Sequence, residues 1–241
     1  GCGLNLKLPT YRWACGDLFD AQQPAALISR VHFALFTWGV RNPIRVHAGK
    51  RSSRMTQSAP LNDLFDGLST RGRGAYGLSD VTQLEHALQT AALAREAGFS
   101  DAMIIAALFH DVGHMFESDE DVDLASQGID DKHEDSSADL LAPIFGDTVA
   151  EPVRLHVASK RYLCAVDPAY FDALAPDSVT SLKLQGGPMS DREVAEFEAN
   201  PHFNEGVALR RLDDKAKVCG LGTPTLESYR DLAERVASSN Q

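Results

Sequence analysis

Cysteine is scarce in this chain of 241 residues: there are four, at positions 2, 15, 164 and 219, with no framework spacing. That excludes a small disulfide-stapled scaffold and favours a reducing compartment, the cytoplasm. A long apolar run is also missing. The longest, Val31 to Val40, is interrupted by His32, whereas crossing a bilayer takes roughly 20 apolar residues. No transmembrane helix, and no membrane partner, is expected. Nor is there an excess of positive charge. With 23 Lys plus Arg against 34 Asp plus Glu, the formal net charge is -11, and the basic footprint that nucleic-acid binding needs is absent. What remains is ordinary: 44% apolar and 24% charged residues, which excludes a disordered or collagen-like chain.

The averages hide two unlike parts. Residues 1–54 contain eight basic side chains (Lys7, Arg12, Arg30, Arg41, Arg45, Lys50, Arg51, Arg54) and only Asp17 and Asp20 as acids, a net of +6. Residues 55–241 hold 15 basic and 32 acidic side chains, a net of -17. Both tryptophans, Trp13 and Trp38, lie in the first part, and the first methionine is Met55. The expectation is that the native protein begins at Met55. Residues 1–54 are then a non-native or disordered N-terminal extension. The rival reading is a cleaved targeting peptide, disfavoured because no clean amphipathic helix or cleavage site is seen.

The acidic part is long enough for one sizeable core, and its periodicity is helical. Leu61, Leu64, Phe65 and Leu68 fall on one helix face. Leu84, Leu88, Ala91, Ala92 and Ala94 precede Gly98, a helix C-terminus signal. Ser100 reads as an N-cap before the apolar run Met103–Phe109, and Gly113 ends or bends that helix. Further helices are expected over Asp135–Phe145 and Asp147–Ala165, around Val207–Ala216, and after Pro224. Alternating strand patterns are scarce, so the fold class is all-α.

Six histidines fall in 55–241, and four of them are evenly placed. His86, His110, His133 and His156 are separated by 24, 23 and 23 residues, and His110 is followed by Asp111. A lone histidine on an apolar helix face is more often a satisfied core residue than a ligand. Four in register, with a His-Asp pair, are harder to assign that way. Antiparallel helices can bring them together in a bundle core, where facing side chains build metal sites. Imidazoles and carboxylates without thiolate favour iron, manganese or zinc. A carboxylate beside a histidine ligand can bridge two metals. His114 lies four residues after His110 and Lys160 four after His156, on the same helix faces as those ligands. Such cationic groups favour an anionic substrate, a phosphate or phosphonate. For Lys160 alone, a solvated surface charge is the commoner role.

Gln83-Leu84-Glu85-His86-Ala87-Leu88 and Ala106-Ala107-Leu108-Phe109-His110-Asp111-Val112-Gly113-His114 resemble the HD-domain superfamily, helical metal-binding proteins named for the His-Asp pair. Asp130–Glu134, Pro152–His156, Lys160–Cys164, Ser181–Met189 and Arg210–Lys217 are similar to its mixed-valence di-iron branch, the phosphonate oxygenases of the PhnZ type. The resemblance covers roughly Leu61 to Leu232. It implies an HD-domain helical bundle with a di-metal site in its core, over residues 55–241. His86, His110, Asp111 and Asp213 would bind one iron. Asp111, His133 and His156 would bind the other, with Asp111 bridging. Asp213 is preferred to its neighbour Asp214 because its distance from His156 matches the family. His114, Lys160, Ser178 and Ser181 would hold the phosphonate oxygens; helix capping is the ordinary role of such serines.

The resemblance also implies a tyrosine ten residues before the first histidine, Tyr76, which occupies the iron site until substrate arrives. Some members carry a glutamate three residues later that meets a primary ammonium. Here that position is Ser79, followed by Asp80. The lost carboxylate leaves room for an N-methylated ammonium, which needs contact area rather than hydrogen-bond acceptors; Asp80 is the alternative acid. The implied cofactors are two iron ions, Fe(II)/Fe(III), with dioxygen as co-substrate. The implied reaction opens the carbon–phosphorus bond of a 1-hydroxy-2-(amino or trimethylammonio)ethylphosphonate, giving phosphate and glycine or glycine betaine. The alternative is a metal-dependent HD phosphohydrolase acting on a nucleotide or other phosphate ester. A non-catalytic metal-binding protein is the third reading. The oligomeric state is left open.

Overall fold

The computed structural model describes residues 58–74, 80–115 and 132–240. The chain divides into two units, Gly1–Arg51 and Ser52–Gln241, and every described residue belongs to the second. The expectation for residues 1–54 therefore lies outside the described residues. Among those residues the secondary structure is helical, with no strand. This is the all-α class expected from the sequence.

Ten α-helices follow in order: α1 Ser58–Arg71, α2 Gln83–Glu96, α3 Asp101–Phe109, α4 His133–Phe145, α5 Asp147–Val166, α6 Pro168–Asp172, α7 Pro176–Leu184, α8 Asp191–Glu198, α9 Phe203–Asp213 and α10 Arg230–Ser239. A 3-10 turn over Val112–Met115 follows α3, and another over Leu226–Tyr229 leads into α10. No described helix is long and apolar enough to cross a membrane.

α3 is the axis of the bundle. Every residue from Met103 to Phe109 is buried, as expected of a helix that is apolar on all sides. α2, α5, α9 and α10 pack around it. Two caps set where α2 and α3 begin. Thr82 and Glu85 form a capping box at the start of α2, and the Ser100 hydroxyl accepts from the Met103 N–H at the start of α3. Such caps are worth about 1 kcal/mol each. Between the helices Gly98 takes a left-handed conformation, φ +75°, which glycine adopts without strain.

Two departures from the sequence reading have physical causes. α4 begins at His133, two residues before the expected Asp135, because Lys132 takes a left-handed conformation, φ 50° and ψ 36°, and turns the chain abruptly into the helix. α6, α7 and α8 are additional to the helices that the sequence predicts. They are short, and they start from local signals, Pro168, Pro176 and the Ser190–Glu193 capping box, rather than from apolar periodicity. Gly113 marks a close approach. A Cβ there would lie 2.5 Å from the His133 carbonyl oxygen and 2.9 Å from the Ser137 nitrogen. Its N–H donates to the Ser137 hydroxyl at 2.8 Å. Glycine at 113 lets the chain after His110-Asp111 lie directly against the first turn of α4.

Candidate metal centre

Three helix ends, one turn and the middle of a fourth helix deliver six ligand-type side chains to one buried point. His86 comes from the first turn of α2, and His110 and Asp111 follow the last residue of α3. His133 opens α4, His156 lies midway along α5, and Asp213 ends α9. They form two groups, His86 with His110 and Asp213, and Asp111 with His133 and His156, each with its ligand atoms within 4.8 Å of one another.

Asp111 reaches both groups. Its Oδ2 lies 3.6 Å from His86 Nε2 and 3.2 Å from His110 Nε2. Its Oδ1 lies 3.5 Å from both His133 Nε2 and His156 Nε2. Asp213 Oδ1 closes the first group at 3.2 Å from His86 Nε2 and 4.0 Å from His110 Nε2.

The imidazoles are turned by their far nitrogens. The Nδ1 atoms of His86, His110 and His156 meet the carbonyl oxygens of Ala216, Ala107 and Val153 at 2.8, 2.9 and 2.7 Å. A carbonyl only accepts, so each Nδ1 carries the proton and each Nε2 presents a lone pair. His133 Nδ1 faces Glu134 Oε2 at 3.7 Å. The Nε2 atoms then meet pairwise, His86 to His110 at 3.1 Å and His133 to His156 at 3.2 Å.

The charge balance points the same way. Both carboxylate oxygens of Asp111 and Oδ1 of Asp213 are buried without a hydrogen bond, an arrangement that is costly unless a cation satisfies them. Burial alone would raise the Asp111 carboxyl, but His110, His133 and His156 outweigh it and hold the group well below its usual range. For Asp213 burial is outweighed by Arg210, Lys217 and His86. His156 is pushed down to about 3 by burial, with His133 and His110 adding to the fall, and so is neutral at pH 7. For His110 burial works against charge, but Asp111 and Asp213 prevail and raise it. Converging lone pairs and orphaned anionic oxygens together fit a pair of metal ions. The N/O donor set suits iron, manganese or zinc.

The remaining expected site residues are placed as follows. Lys160 follows His156 by one turn of α5. It is buried, and its Nζ donates to the Ser181 hydroxyl at 2.8 Å. Burial, then Arg210, lowers the Lys160 ammonium to about 8. Ser181 donates to the carbonyl of buried Ser178 one turn earlier on α7, at 3.2 Å. His114 is exposed, and its ring stacks on that of His133 with centroids 3.9 Å apart. Asp80 is exposed, ahead of the α2 cap, and is not among the residues the two groups bring together. Tyr76 and Ser79 lie outside the described residues.

Arg210 is a supporting residue whose role the sequence left unread. Its guanidinium is buried on α9. Nη1 holds Asp213 Oδ2 at 2.7 Å, Nη2 pairs with Asp214 Oδ1, and Nε donates to the Tyr170 hydroxyl at 3.0 Å. That hydroxyl in turn donates to Asp214 Oδ2 at 2.6 Å. The two adjacent aspartates are thereby separated: Asp213 turns to the histidines and Asp214 to Tyr170. The spacing of Arg210 to 213 and 214, three and four residues on one helix face, was the available signal.

Five helices supply four histidines and two aspartates, one carboxylate shared between halves, a set that fits a helical protein with a buried two-metal site. Comparison with known proteins is specific within that class. Residues 84–193 match the model of the HD domain. The chain is 45% identical over 179 residues to hydroxymethylphosphonate dioxygenase of Gimesia maris, covering 74% of this chain and 89% of that one. It is 40% identical over 180 residues to [1-hydroxy-2-(trimethylamino)ethyl]phosphonate dioxygenase (glycine-betaine-forming) of Leisingera caerulea, covering 75% of this chain and 90% of the other. The chain belongs to the HD-domain oxygenases of the PhnZ type, and it is a dioxygenase of the hydroxyphosphonate class.

Proposed function

We propose that this protein uses two iron ions and dioxygen to cleave the carbon–phosphorus bond of a small 1-hydroxyphosphonate, releasing phosphate and a carboxylate. The observation that carries the reading is Asp111, whose two oxygens divide between two histidine pairs. His86, His110 and Asp213 would hold one iron, His133 and His156 the other, and Asp111 both.

Hydrolysis is a poor route for this bond, because it would expel a carbanion. The balanced reaction is oxidative: R–CH(OH)–PO3(2−) + O2 gives R–COO(−) + HPO4(2−) + H(+). When bound, the irons supply dioxygen activation and exchange of electrons. The chain supplies the rest. The Nδ1 bonds set the tautomer and aim of the imidazoles. Arg210 keeps Asp213 ionised and turned inward. The Lys160 ammonium, with Ser181, Ser178 and His114, would bind the phosphonate oxygens and fix C1 in place. Lys160 is mostly charged at pH 7, and an arriving dianion stabilises that charge further.

The C1 substituent separates three substrates. Ser79 stands where some relatives place an ammonium-binding glutamate, which favours the N-trimethyl compound or hydroxymethylphosphonate over the primary amine. The first would give glycine betaine, the primary amine glycine, and hydroxymethylphosphonate formate. The setting proposed is cytoplasmic, with no nucleic-acid or membrane partner. The test is phosphate release from all three compounds by iron-loaded protein, with and without dioxygen. Oxygen-dependent release is expected. Oxygen-independent release of phosphate from a phosphate monoester, with none from the phosphonates, would move the protein to the HD phosphohydrolases.

A further inference from the structure

The three Nδ1 bonds to carbonyls differ in origin. His110 and His156 bond carbonyls three residues earlier in their own helices, Ala107 and Val153. His86 bonds the carbonyl of Ala216, 130 residues away, in the segment that follows α9. The aim and tautomer of His86 therefore depend on where that segment lies. Ala216 is fully buried, but Val218, two residues on, has 47% of its surface exposed, so packing of the Val218 side chain does not hold the segment down. The Ala216 N–H donates to the Asp213 carbonyl oxygen at 3.0 Å, and Gln89 ties the chain just beyond it. Gln89 lies on α2, three residues after His86, and is buried, with 1% of its surface exposed. Its Nε2 donates to the Val218 carbonyl at 2.9 Å, and its Oε1 accepts from the Val218 N–H at 3.0 Å. The same segment carries Lys217, whose Nζ lies 3.9 Å from Asp213 Oδ1. His86, the Ala216 carbonyl and Asp213 are thus joined in one tie that Gln89 fastens.

We propose that Gln89 is a positioning residue for one half of the metal centre: by clamping the Val218 backbone it fixes the Ala216 carbonyl, and through it the His86 imidazole. This rests on the two-metal reading above. The group formed by Asp111, His133 and His156 has no share in the tie. Loss of an outer partner of a metal-bound histidine typically costs about 10- to 100-fold in metal affinity. Gln89→Met, of similar length but without the amide, is expected to lose that much at one metal and leave the other unchanged.

The measurement is anaerobic Fe(II) titration of the full chain, with bound iron counted after gel filtration. Gln89→Glu, which keeps the size and the acceptor but sets an anionic oxygen against the Val218 carbonyl, is expected to behave alike. A double-mutant cycle identifies the half. Added to His86→Ala, Gln89→Met should cost little more; added to His133→Ala, it should cost its full effect. Equal weakening of both metals, no weakening, or full additivity with His86→Ala overturns the proposal. So does loss of the helical circular-dichroism signal in both Gln89 variants, which would make Gln89 a general staple of the fold. A wild-type chain that takes up no iron overturns the two-metal reading and this one with it; normal wild-type uptake with an unaltered Gln89 variant overturns this one alone.

Discussion

The two halves of the metal centre use the same chemistry and are held in different ways. The His86–His110–Asp213 half is closed. All three side chains are fully buried, and His86 is aimed by chain that arrives from far away, the Ala216 carbonyl, while Asp213 is held by Arg210 and Lys217, three residues before it and four after. The His133–His156 half is local and more open. His156 bonds within its own helix, the His133 side chain is 12% exposed, and its ring is covered by that of exposed His114. One half is fixed by the completed tertiary fold, the other by helix starts and a close glycine. Asp111 is the one side chain that reaches both.

The largest break in that comparison is Asp111→Ala, which removes the shared ligand. Two-metal occupancy and turnover should both be abolished, as read by iron content and phosphate release. Retention of both metals would sink the bridging assignment. Arg210→Met should strike the closed half. It leaves Asp213 a buried charge without its partner, at a cost of about 3–5 kcal/mol. Thermal melting should fall sharply and one metal be lost, and Arg210→Lys should restore little because a single ammonium cannot serve both aspartates and Tyr170.

Lys160→Ala touches neither set of ligands. It removes a charge-assisted bond worth about 1.5–3 kcal/mol, so KM for the phosphonate should rise about 10- to 150-fold with two metals still bound. Equal loss of metal and affinity would make the lysine structural. The wild-type pH profile gives the sign independently. The ammonium titrates near 8, so its charge is present below that pH and lost above it, and KM should climb as pH rises through 8. Gly113→Ala strikes the local half most gently. Its Cβ meets backbone at His133 and Ser137, an overpacking that costs about 1–3 kcal/mol, seen as a lower melting temperature and weaker binding of the second metal only. An unchanged melting temperature would show that α4 yields freely.

How much of this was legible beforehand follows the same division. The helical class, α2, α3 and α5 could be read because apolar periodicity, Ser100, Gly98 and Gly113 all agree. The four histidines stood out because even spacing on amphipathic helices is rare by chance. The choice between Asp213 and Asp214 rested on resemblance alone, since adjacent carboxylates are equivalent in sequence. Their separation is made by Arg210 and Tyr170, and Tyr170 sits on a five-residue helix that no periodicity announces. Gln89 was unreadable for a related reason. A single polar residue in an amphipathic helix signals nothing, and its partner is loop backbone 129 residues away. The left-handed turn at Lys132, which starts α4 at His133, has no residue signature, since glycine and asparagine are the usual occupants.

The distance along the chain between His86 and Asp213 has a consequence for the order of events during synthesis. A ribosome adding about 5–20 residues per second releases His86 roughly 6–25 seconds before Asp213. Until then His86 and His110 have Asp111 in the chain but neither Asp213 nor Arg210. Completion of the His86–His110–Asp213 group is therefore a later step than completion of the Asp111–His133–His156 group, which needs nothing beyond α5. A nascent chain that stops short of α9 is left without a complete centre, and a bound pair of metals certifies that translation has passed that point.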